Sequence, residues 1–132
     1  VQGAALPDRD LQHQRRVVDA FFAASRGGDF DALVAVLDPD VVLRAALPGG
    51  ESRTVRGATK VAKQSLLFSR RPMPTRVDRA VLVNGAPGIV VFAEGKPFSL
   101  LGFTVAHDKI VAIDIIADPE RLARLDLAEL AP

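Results

Sequence analysis

The sequence contains no cysteine, no tyrosine and no tryptophan, and only one methionine. Without cysteine there can be no disulfide and no thiolate metal site, and a reducing cytoplasm is the expected compartment. Without tyrosine, the phenolic donor that often stabilises an enolate or oxyanion is missing. Histidine is scarce. His13 and His107 stand far apart, and neither has a second ligand at metal spacing, so no metal is expected. Gly-x-Ser-x-Gly and glycine-rich phosphate motifs are also lacking, and no cofactor is expected. No apolar run approaches the roughly 18 residues of a membrane span. The net charge is only +1, and Arg15-Arg16 and Arg70-Arg71 are pairs, not patches. A phosphate-gripping face is therefore not expected within this chain.

The residues that are present suit one domain. A chain of 132 residues that is 48% hydrophobic can bury a core without staples. Val1 to Pro7 carries neither helical nor strand pattern. Residues 1–9 read as a linker to something upstream, with the domain over 10–130 cut from the C-terminal end of a longer protein.

Asp8 and Asp10 can cap a helix that opens near Leu11, whose Val17, Val18, Phe21, Phe22 and Ala24 form one apolar face. Gly27-Gly28 stops it. Asp29 caps a second, short helix carrying Phe30, Leu33, Val34 and Leu37, which Asp38-Pro39-Asp40 ends. Val41 to Leu47 alternates as a strand, with Arg44 on the face opposite Val41, Leu43 and Ala45. Arg53 to Arg56 is a short strand. Ala58 to Arg70 is a third helix, with Val61, Ala62, Ser65 and Leu66 facing inward. Four β-rich runs follow, Val77 to Val83, Ile89 to Ala93, Phe98 to Ala106 and Ile110 to Ile116, and the short turns between them indicate an antiparallel meander. Asp118-Pro119 opens a last helix through Leu125. Helices gathered in the first half and strands in the second indicate an α+β fold, a curved antiparallel sheet wrapped around three helices.

One carboxylate stands out. Asp114 sits in an apolar strand, on the same face as Ile110, Ala112 and Ile116 by simple alternation. It calls for a raised pKa or a cationic partner, and Arg44 is the candidate. The pair could line a pocket together with Phe21, Leu66 and Phe103. The favoured reading is instead a structural salt bridge, or a face turned to solvent or to a second subunit.

The stretch from Arg16 to Leu33, with its Phe21-Phe22 and Gly27-Gly28-Asp29-Phe30, followed by Leu37-Asp38-Pro39-Asp40-Val41, resembles the opening of a SnoaL-like domain of the cone-shaped nuclear-transport-factor-2-like superfamily. Three further stretches make the chain similar to the extra C-terminal domain of extracytoplasmic-function sigma factors of the SigJ-like kind. These are Val55-Arg56-Gly57-Ala58, Val83 to Val91, and Ala117-Asp118-Pro119-Glu120-Arg121-Leu122. The last resembles an Asn-Pro-Asp-Lys-Leu signature, with conservative changes at three of its five positions. The Asp-Gly-Gly-Gly-Lys motif of related sigma factors is not matched, since Pro48-Gly49-Gly50-Glu51-Ser52 lacks the acid and the lysine.

The resemblance implies a regulatory domain that tunes transcription initiation. Its partners would be the promoter-binding domains of the same parent and RNA polymerase core, with DNA reached only through domains absent here and no membrane involved. Asp118, Pro119, Glu120, Arg121 and Leu122 would make interdomain contacts, although Asp118-Pro119 also reads simply as a helix start. A homodimer through the outer sheet face and an apolar small ligand are compatible with this reading. The alternative is a small-molecule enzyme of the SnoaL-like cyclase, isomerase or epoxide-hydrolase type, with Asp114 and Arg44 as its chemistry.

Overall fold

A computed structural model describes residues 10–125. The expected linker over 1–9 and the end of the expected domain over 126–130 lie outside the described residues, as does the Asp8 cap.

Helix α1 (Leu11–Gly27) begins where Asp10 accepts hydrogen bonds from the backbone N–H groups of Gln12 and His13, at 3.0 and 3.2 Å. It ends at Gly28, whose φ of 68° lets the chain reverse and whose N–H reaches back to Ser25. Asp29 caps α2 (Phe30–Val36) through the N–H of Ala32. The chain then passes straight into β1 (Leu37–Ala46). Leu37 thus starts the strand, where the helical spacing placed it in the helix. Its side chain is still buried in the same core. A short 3₁₀ turn over Pro48–Gly50 leads to β2 (Ser52–Arg56) and α3 (Ala58–Ser69). Strands β3 (Val77–Val83), β4 (Ala86–Ala93), β5 (Lys96–Ala106) and β6 (Lys109–Ile116) follow, and α4 (Pro119–Ala123) is the last described element.

The β3–β4 and β4–β5 turns are tighter than the composition suggested. Asn84-Gly85 and Glu94-Gly95 take positive φ at both central positions, as two-residue hairpins require. Pro87 and Pro97 therefore fall inside strands. Pairing of β4 with β5 begins only at Gly88, and pairing of β5 with β6 only at Leu100, so neither proline removes a ladder bond on that side.

The six strands form one curved sheet in the order β2-β1-β6-β5-β4-β3. Its pairs are antiparallel except β1 with β6, which run parallel and splice the first half of the chain onto the end of the meander. This parallel junction corrects the all-antiparallel expectation. The inner face holds the main core. Val18, Leu33, Val41, Val61, Val91 and Val105 are fully buried there. Phe21, Phe22 and Phe103 meet edge-on with ring centroids 5.4 to 5.7 Å apart, each pair adding about 1 kcal/mol beyond its buried area. A second apolar cluster, Val90, Phe92 and Leu100, faces the other way and is capped by Leu122 of α4. The guanidinium of Arg15 ties α1 to the β3–β4 hairpin by donating to the carbonyls of Gly88 and Val81.

Candidate functional site

Between the helices and the concave side of the sheet lies a cavity of about 480 Å³, within the usual range of small-molecule sites. α1 contributes Phe21, Phe22 and Ser25, and β1 contributes Leu43 and Ala45. The far wall is Leu101, Ile113 and Ile115 of β5 and β6, and α3 closes it with Ser65 and Phe68. At Phe98 the β4–β5 register slips, pairing Val91 with Ser99 and Phe92 with Pro97. That bulge turns the neighbours Phe98 and Ser99 both toward the cavity.

The polar chemistry of this lining is uneven. Its ionisable side chains among the described residues are three arginines, Arg53, Arg71 and Arg76. Arg76 makes a bidentate pair with Asp78, at 2.8 and 3.1 Å. Arg71 lies over the rings of Phe98 and Phe68, at 5.3 and 5.8 Å from their centroids, and Arg76 lies over Phe68 at 5.2 Å. Guanidinium groups and aromatic faces thus form a ladder at one side of the cavity. Arg53 stands opposite Ala45 in the β1–β2 register and so on the cavity side of β2, exposed at the rim. Neither Arg53 nor Arg71 has a carboxylate partner among the described residues. Two hydroxyls, Ser25 Oγ and Ser99 Oγ, are buried in the same lining with no hydrogen-bond partner among those residues.

The structure separates the residues that sequence reasoning had grouped. Phe21 lines the cavity, and Phe103 is buried against Phe21 and Phe22 without lining it. Leu66 is half-buried against the core and also lies outside the lining. Asp114 and Arg44 do find each other, with Nε to Oδ1 at 2.9 Å, as cross-strand neighbours of β6 and β1. They stand on the opposite side of the sheet, with side chains 56% and 60% exposed. The pocket role for this pair is therefore corrected. It is a surface salt bridge, of a kind worth less than about 1 kcal/mol. Simple alternation also put Ile110 on the Asp114 face. In fact Ile110 is buried in the inner core with Ile113, because the register skips Val111, a bulge in β6.

Of the signature segment, Asp118 is buried and accepts from the N–H of Glu120, and Leu122 is buried against Val90, Phe92 and Leu100. Pro119, Glu120 and Arg121 are exposed. His13 pairs with Asp108 at the β5–β6 turn, 2.5 Å away and distant from the cavity. Among the described residues no group of acidic or histidine side chains could hold a metal ion, and no helix is long and apolar enough to cross a membrane.

This architecture, helices held in a curved mixed sheet around an internal cavity, is the nuclear-transport-factor-2-like fold. An NTF2-like protein from Burkholderia xenovorans superposes with a TM-score of 0.59 at 21% identity, covering 89% of this chain and 98% of its own. No protein-family profile matches the chain. More specific likenesses come from sigma factors. The chain is 30% identical over 110 residues to the probable ECF RNA polymerase sigma factor SigI of Mycobacterium tuberculosis, covering 83% of this chain and 37% of that one. It is 30% identical over 135 residues to the ECF RNA polymerase sigma factor SigJ of the same organism, covering 92% of this chain and 43% of that one. The crystal structure of SigJ superposes with a TM-score of 0.69 at 27% identity, over 87% of this chain and 45% of SigJ. The chain thus has an NTF2/SnoaL-like fold and is homologous to part of the ECF sigma factors SigI and SigJ, and it spans less than half the length of either relative.

Proposed function

We propose that this chain is the regulatory C-terminal domain of an extracytoplasmic-function sigma factor, modulating transcription initiation through contacts with the promoter- and polymerase-binding domains of its parent. One observation carries the reading: the likeness to SigJ covers 92% of the chain in sequence and 87% in fold. The domain contacts RNA polymerase and DNA through its parent's other domains and works in the cytoplasm. Glu120 and Arg121 on the exposed edge of α4 are the part of the signature segment free to touch a neighbouring domain, because Asp118 caps the helix, Pro119 borders the cavity and Leu122 packs in the core.

In this reading the domain is not an enzyme. The NTF2-like fold hosts isomerases and hydrolases, so fold alone decides nothing. The chemistry of the lining favours the regulatory role. Its described residues offer no carboxylate, imidazole, amine or phenol to take or give a proton near neutral pH. Asp114, the carboxylate that could have served, is on the far side of the sheet.

The test compares transcription from a cognate promoter by the intact parent and by a parent lacking this domain, with purified polymerase core. Output or promoter affinity is expected to change severalfold. Identical output from both would overturn the proposal.

A further inference from the structure

We infer that the internal cavity is a binding site for a small apolar monocarboxylate, held by its charged end at the arginine side of the cavity. The inference extends the regulatory reading by naming what the domain would sense, but it stands on separate observations.

Three features converge in one lining. The first is its apolar body, in which Phe21, Phe22, Leu43, Leu101 and Ile113 surround a space large enough for a metabolite. The second is charge. The ionisable groups of the described lining are all guanidinium, and only Arg76 is offset, by Asp78. Arg53 and Arg71 are solvent-exposed and present their positive charge at the rim of the cavity, where a ligand with a buried apolar body can place a charged end. A guanidinium also matches a carboxylate with two parallel hydrogen bonds.

The third feature is the pair of hydroxyls. Ser25 and Ser99 are 5% and 2% exposed, and their Oγ atoms have no partner among the described residues. Buried hydroxyls are ordinarily satisfied, because an unsatisfied one costs free energy. Two of them in one lining point to a partner that enters the cavity. Ser99 directly follows Phe98, whose ring lies under Arg71, and both residues line the cavity. A carboxylate accepts from both a guanidinium and a hydroxyl, whereas an ammonium ion would be repelled by the guanidinium groups.

The test is isothermal titration of the chain with decanoate, decanol and decylamine, each below its micellar concentration. Decanoate is expected to bind at least about tenfold more tightly than decylamine, with decanol between them. Arg71→Gln, at an exposed position where the fold is not at stake, should bring decanoate down to the affinity of decanol and leave decanol unchanged. Ser99→Ala should weaken decanoate roughly fivefold. Circular dichroism of each variant confirms that it is folded. Equal binding of decanoate and decylamine, no decanoate binding up to its micellar concentration, or unchanged decanoate affinity in both Arg71→Gln and Arg53→Gln would overturn the inference. None of these results bears on whether the parent's transcription depends on this domain.

Discussion

At the scale of single residues, Gly88 is the described glycine with the least room for a side chain. A Cβ placed there would lie 2.5 Å from Cγ2 of Val83 and 2.7 Å from the carbonyl oxygen of Leu101. Val83 folds back over Gly88 and Gly102, filling the space that two side chains would otherwise occupy. Gly88→Ala should therefore destabilise the domain by about 1–3 kcal/mol, the usual cost of overpacking. Urea denaturation measures it, and a change under half a kcal/mol would contradict this packing. Trimming Val83 to alanine in the same chain should recover only part of the loss, because the Leu101 backbone cannot withdraw as a side chain can.

At the scale of elements, local chemistry was largely readable from sequence. Asp10 and Asp29 cap α1 and α2, Gly28 takes the left-handed turn, and Asp118-Pro119 opens α4. Each depends on a residue and its immediate neighbours, which a sequence displays directly. Asp10→Ala leaves the N–H groups of Gln12 and His13 without their acceptor. It should cost about 1 kcal/mol, seen as a lower urea midpoint with an unchanged slope. The features that escaped sequence reasoning depend on partners distant in the chain. The bulge at Val111 exists only relative to β5, and it is what carries Ile110 inward and leaves Asp114 outward. The slip at Phe98 is likewise set against β4. Strict alternation cannot reveal either one. A trace of the cavity was nevertheless present. Ser25 sits three and four residues after Phe22 and Phe21, on the apolar face of α1, and Ser99 interrupts an apolar strand. A small polar residue among inward-facing hydrophobics was the sign that a polar partner is wanted there.

At the scale of the whole molecule, the parallel β1–β6 junction holds the two halves together. It joins Arg44 to Asp114 across 70 residues of chain, and the inner core draws on both sides of it. A chain ending at Ala106 would lose β6. With it would go Ile110 and Ile113 from the core, and β1 would face solvent along one edge. Such a truncated chain should show no cooperative thermal transition by circular dichroism, and a sharp two-state melt would contradict the account. The same junction has a consequence for synthesis. A ribosome delivers β1 early and β6 near the end, so β1 must wait with an unpaired edge while most of the domain is made. Non-local ladders of this kind close late and slowly. During translation the domain is therefore open to aggregation or chaperone capture until its last strand has left the exit tunnel.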